Sequence, residues 1–229
     1  MSAAAYAAIT IVLTYPLIRH LSSTVPHDLG DPLLSTTVLW WNAHTVPLSH
    51  GWWNAFFFWP APGAIAFSDH RLGESLLATP LQWLGLDAVS SANVVFLVSF
   101  PLSALAAHAL AFTVSRRHDA GVIAGLAYGF CPYRLAHVQH LELLAGFGMP
   151  LALVALHRYI DTSRRTWLVA FVAALIVQAL CCSYYTLFFS VLIVLWVCWF
   201  VDWRHGWTIV AIGAACAAAA VALAPVVIG

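Results

Sequence analysis

The chain has 229 residues, 62% of them hydrophobic and only 8% charged, with eleven Trp and no Lys. Ordinary soluble domains carry about 25% charged residues, so a soluble globular core is excluded. A formal net charge of zero and the lack of a basic patch exclude a nucleic-acid-binding surface.

Apolar runs predict an all-α, polytopic transmembrane helical bundle, a single domain over 1–229 with about seven spans. The expected spans are 2–18, 88–114, 119–131, 141–156, 166–181, 187–201 and 207–229. The first run has no basic flank and reads as a retained span, not a cleaved signal. The third is the shortest, beginning at the capping-type Asp119, and must extend, tilt or lean on other helices. The last run ends inside "ALAPVVIG", which reads as a truncated chain. Cys131, Cys181, Cys182, Cys198 and Cys216 all lie in apolar surroundings without a CxxC pair, and read as buried small hydrophobes.

Arginine placement sets the expected orientation. Arg116, Arg117, Arg158, Arg164, Arg165 and Arg204 fall on one side, and Arg19, Arg71 and Arg134 on the other. This predicts a cytoplasmic N-terminus with residues 19–87 outside. Acids and histidines partition the opposite way, with Asp28, Asp31, Asp69, Glu74, Asp87 and Glu142 outside.

The outer loop of 69 residues, 19–87, is far longer than packing requires, and loops of such length tend to be functional. Asp31 before Pro32 reads as an N-cap with Pro at the first helical position. Leu34, Val38 and Trp41 then share one helical face, with Ser35 and Asn42 on another. Such a helix is expected to lie in the membrane interface. "GWWNAFFFWPAPG" suits an interfacial aromatic belt, and Pro60 and Pro62 prevent a continuing helix. A second interfacial helix follows from about Leu72 to Leu84.

One span, a large outer loop with two juxtamembrane helices, and further spans resemble the GT-C type of glycosyltransferase. "LGDPLLSTTVLWW", "FSDHRLGESLLATP", "SANVVFLVSF" and "GLAYGFCPYRLAHVQHLELL" carry the resemblance, which covers most of the chain. It implies a membrane enzyme of the bacterial cell envelope, in the inner (cytoplasmic) membrane. Such an enzyme moves a sugar from a polyprenyl-phosphate donor, among membrane lipids, to an acceptor on the outer face. It also implies an acidic base or acceptor-orienting group early in the first outer loop, a place that Asp31 matches, with Asp28 as the nearby alternative. The family usually has more spans, often with a soluble outer domain, and this chain departs from that pattern.

That chemistry needs a carboxylate for the acceptor proton, positive charge for the departing phosphate and a groove for the prenyl chain. Asp31 is open to two compatible readings, helix cap and catalytic carboxylate. Asp69, His70 and Arg71 read either as a solvated turn or as a site in which Asp69, a third candidate acid, and His70 bind metal or share a proton while Arg71 grips phosphate. In "YRLAHVQHLE", Arg134 could hold lipid phosphate, while His137, His140 and Glu142 stand near one another if helical. One His pair at i, i+3 is a weak metal signal, and a divalent cation is compatible with the sequence but not required by it. Asp31, Asp69 and His137 are expected to converge on one outer cavity. Two other functions compete: a non-catalytic scaffold or lipid-binding protein of the same architecture, and a transporter fragment. The latter would rest on the mid-span polar residues His108 and Gln178.

Overall fold

A computed structural model of the protein describes residues 2–204 and 206–228. Among the described residues the fold is all-α, with no strand. The expected span 207–229 ends on Gly229, which lies outside the described residues.

Helix α1 (Ser2–Leu13) stops short of residue 18, because Pro16 lacks the N–H that the next turn would need. The long first loop then carries α2 (Asp31–His44), α3 (His50–Trp53) and α4 (Leu72–Trp83). A 3-10 turn, Ala64–Phe67, lies between α3 and α4. Next come α5 (Ala88–Ser115), α6 (His118–Gly129), α7 (Pro132–Ala136) and α8 (Leu141–Leu144). The chain closes with α9 (Gly148–Thr162), α10 (Arg165–Cys181), α11 (Ser183–Phe200) and α12 (Gly206–Ile228).

Four stretches are long and apolar enough to cross a membrane: α5, Leu141–Thr162 (α8 continued by α9), α11 and α12. This is a membrane protein. At 1.5 Å per residue, the 28 residues of α5 extend about 42 Å, more than a hydrocarbon core requires. The Asp87 carboxylate caps its start by accepting from Ser90 N at 2.9 Å, and Arg116 ends it in the left-handed conformation. By contrast, α1 and α10 are apolar but shorter.

α5 is the central post, contacted by α1, α2, α4, α6, α8 and α9. The short α6 lies flat against it, which explains how so short a segment is held. A Cβ at Gly125 would stand 2.8 Å from the Ala104 carbonyl, so only glycine permits this approach. α9 and α10 form a second core with α11 and α12 around Leu156, Phe171, Phe189 and Ile212. Only 11% of the apolar stretch of α11 and 17% of that of α12 is buried. Their sides therefore offer Leu187, Phe188 and Val191 outward, as lipid-facing helices do.

Of the loop helices, α2 and α4 pack on each other and on α5. Here the expected apolar face of α2 is packed, with Val38 buried and Leu34 and Trp41 against it, but Ser35 and Asn42 on the polar face are buried as well. The reason is pairing. Asn42 donates to Ser75 Oγ and to the His70 carbonyl, both at 2.8 Å, and accepts from the indole of fully buried Trp52 at 2.7 Å. A satisfied amide is at home inside, and here it ties α2, α3 and α4 together.

Candidate functional site

Three remote segments meet at one end of the bundle. α2 begins with Asp31; its N-cap is Gly30, without a side-chain cap. Asp31 is thus the first helical residue, not the cap expected from Asp-Pro. The local turn is held instead by Asp28, whose carboxylate accepts from Gly30 N at 2.8 Å.

The second segment, 68–71, leads into α4. Arg71 is in the left-handed region at φ 51°, costly for a residue with a Cβ and held only by surrounding contacts. Two residues on, Gly73 lies so close to α10 that a Cβ there would stand 2.7 Å from Cys181 N. Asp69 accepts from Ser183 Oγ at 2.9 Å, pinning the segment to the first residue of α11.

The third segment joins α7 to α8. His140 Nδ1 lies 3.3 Å from Asp31 Oδ2 and 3.5 Å from Glu142 Oε1, so one imidazole stands between two carboxylates. Glu142 in turn accepts from Arg71 Nη1 in a buried ion pair. Removing two charges from water is expensive, and such pairs persist where geometry is good.

Asp31, Asp69, Arg71, His140 and Glu142 therefore line one cavity of about 370 Å³, with Ser183 and Tyr184 completing its wall. His70 faces a neighbouring cavity shared with α11 and α12. Its Nδ1 accepts from Leu72 N, which requires the neutral ring, and burial pushes its pKa down from 6.5.

Other sequence-expected residues stand elsewhere. Asp28 is exposed and outside this lining. Its pKa is lowered by the Gly30 N–H and then by His27. His137 also lies outside the lining, its Nδ1 turned back to the Tyr133 carbonyl at 2.7 Å and its ring on Tyr133. His140 occupies the place expected for it. Arg134 is 3% exposed and spends its donors on Gly129 O, Leu144 O and Ser103 Oγ, holding α5, α6 and α8 together.

One residue that the sequence placed only among the outer acids turns out to be buried beside the site. Glu74, one turn into α4, is 1% exposed. Neither carboxylate oxygen has a well-formed hydrogen-bond partner among the described residues, though the Cys181 thiol stands alongside. Burial pushes its pKa from 4.5 up to about 8, against the opposing pull of Arg71. The only hint in the sequence is its place among small neighbours, Gly73 and Ser75. Among the described residues no group of three or more His, Cys, Asp or Glu could hold a metal ion.

The C-terminal part of α2 and α4 enclose a separate groove of about 550 Å³. Ala43, Val46, Leu72, Leu76 and Trp83 make it largely apolar. No protein family, curated protein or solved structure matches the chain.

Proposed function

We propose that the chain is a membrane glycosyltransferase of GT-C type, moving a sugar from a polyprenyl-phosphate donor to an acceptor on the outer face of a bacterial cytoplasmic membrane. The observation that carries this reading is the gathering of Asp31, Asp69, Arg71, His140 and Glu142 around one cavity, in a chain with very few charges. Asp31 takes the proton of the acceptor hydroxyl as that oxygen attacks the anomeric carbon. The bond from that carbon to the phosphate oxygen breaks, and the phosphate leaves with the electron pair. His140, beside Asp31, steadies the carboxylate, and Arg71 supplies positive charge for the phosphate. The apolar groove between α2 and α4 receives the prenyl chain. Orientation follows the arginine count, with the N-terminus in the cytoplasm and the first loop outside.

The test is native mass spectrometry of the solubilised protein for co-purified polyprenyl phosphate, joined to a transfer assay with a polyprenyl-phosphate sugar. Asp31→Asn is expected to lower turnover by roughly 10²-fold or more while the lipid still co-purifies. Unchanged turnover in Asp31→Asn would remove the carboxylate from the chemistry, and the search would pass to Asp69. A protein that carries no polyprenyl phosphate and transfers no sugar overturns the reading.

A further inference from the structure

From Gly51 to Ser68 no side chain is charged, and the middle of this stretch faces outward. Trp59 is 84% exposed, Phe67 64%, Phe56 56% and Phe58 46%. Exposed aromatics of this density demand a partner, because contiguous apolar patches seldom face water.

The exposure is built into the fold. The ends of the segment are tied down by buried Trp52, Ala64 and Ile65. Trp41 Nε1 donates to the Trp52 carbonyl at 3.0 Å, and Gly63 N donates to Asn54 Oδ1 at 3.0 Å, closing the loop on itself. The outward rings support one another edge to face: Phe56 on Phe57, Phe57 on Phe58 and Phe58 on Phe67, with centroids 5.6–6.2 Å apart. They form an ordered ridge.

The ridge also has a definite level. Ile65, Ala66 and Ser68 share a cavity wall with Leu187, near the start of α11, and with Leu223 and Val226, near the end of α12. Asp69 is hydrogen-bonded to Ser183, the first residue of α11. The segment thus stands where two membrane-crossing helices end, continuous with the exposed Leu187 and Phe188 of α11. That level in a bilayer is the boundary between headgroups and acyl chains, where Trp is enriched.

The geometry points to residues 56–67 as a membrane-inserted aromatic wedge, with Phe56, Phe58, Trp59 and Phe67 buried in the lipid interface beside the polar cavity. The partner is the bilayer itself. The absence of charge across the segment and its continuity with the lipid-facing side of α11 favour lipid over a second copy of the chain. The wedge does not depend on the proposed transferase activity.

The test places a nitroxide at Trp59→Cys in a cysteine-free background, in palmitoyl-oleoyl-phosphatidylcholine vesicles. Ser22→Cys serves as the exposed loop control and Leu187→Cys as the lipid control. Collision with a water-soluble nickel complex is expected to fall several-fold at position 59 relative to 22, with oxygen collisions approaching those at 187. Nickel accessibility at 59 equal to that at 22 overturns the proposal, as does dipolar broadening that reveals a second copy against the wedge. A second measurement keeps all native cysteines: the intact chain and Trp59→Phe are compared in vesicles whose acyl chains are brominated. The fluorescence lost with Trp59 is expected to be a strongly quenched component, and an unquenched one overturns the wedge independently.

Discussion

Replacing Glu74 with Gln is expected to stabilise the protein by an amount that grows with pH. Burial raises this carboxyl from 4.5 to about 8 in the folded chain, whereas unfolding returns it to water. A group with a raised folded pKa supports folding fully below its unfolded pKa, and that support is lost as pH rises through the folded value. Below about pH 4 both states hold the proton, so parent and variant should differ little there, and near pH 5 the parent's deficit is still only roughly 1 kcal/mol. At 1.36 kcal/mol per unit, the deficit of the parent reaches about 3 kcal/mol at pH 7 and roughly 5 kcal/mol above pH 8. For a chain of this length each kcal/mol moves the melting temperature by roughly 2–4 °C, so the variant should melt roughly 6–12 °C higher at neutral pH. The neighbours that set the shift, Arg71, Glu142, Asp69 and the Cys181 thiol, are kept in both proteins. The assay is thermal unfolding in one detergent across pH 5 to 9, reading the difference between variant and parent at each pH. A difference that does not change with pH, or a variant that is less stable at pH 8 than at pH 5 relative to the parent, refutes the burial argument.

Arg71→Gln should destabilise by about 3–5 kcal/mol, because Glu142 would be left buried without its cation. The pair Arg71→Met with Glu142→Leu should recover most of that loss in the same melts. Gly125→Ala forces a Cβ towards the Ala104 carbonyl and the Tyr6 hydroxyl. It should cost about 1–3 kcal/mol by overpacking α6 against α5, read as a lowered denaturation midpoint. An introduced cysteine at Ser49 should react with an impermeant reagent applied outside intact cells, and one at Ser163 should not. The reverse pattern would invert the proposed orientation.

What was legible in the sequence was whatever local pattern decides. Uninterrupted apolar runs announced α5, α11 and α12, and Asp-Pro announced the start of α2 to within one residue. The ends of spans were less legible. α1 stops early because Pro16 intervenes, while α9 continues to Thr162, past the expected end at 156, with His157 and Asp161 spaced one turn apart along it. Pairings between distant residues were not legible at all. Arg71 and Glu142 read singly as ligand-binding groups, yet they form a buried pair with each other, with Arg71 Nε left without a hydrogen-bond partner among the described residues. Arg134 read as a lipid-phosphate clamp, yet its donors go to the Gly129 and Leu144 carbonyls and the Ser103 hydroxyl, on three helices. Ser35 and Asn42 looked like the wet side of α2 because a polar stripe ordinarily faces water. Only the positions of Trp52, His70 and Ser75 reveal that the stripe is satisfied inside.

These pairings determine how the cavity behaves before any ligand arrives. The 68–73 segment is fixed at both ends, by Asp69 on Ser183 and by Gly73 against the backbone of α10. Between these points Arg71 is held in a left-handed conformation with its side chain locked to Glu142. His140 is then positioned by carboxylates from two directions, one on α2 and one on α8. The separation of Asp31 from Arg71 is consequently set by helix packing and not by a mobile loop. Under the proposed transferase reading, such a site would meet its substrate with its charges already oriented, leaving little reorganisation for the transfer step.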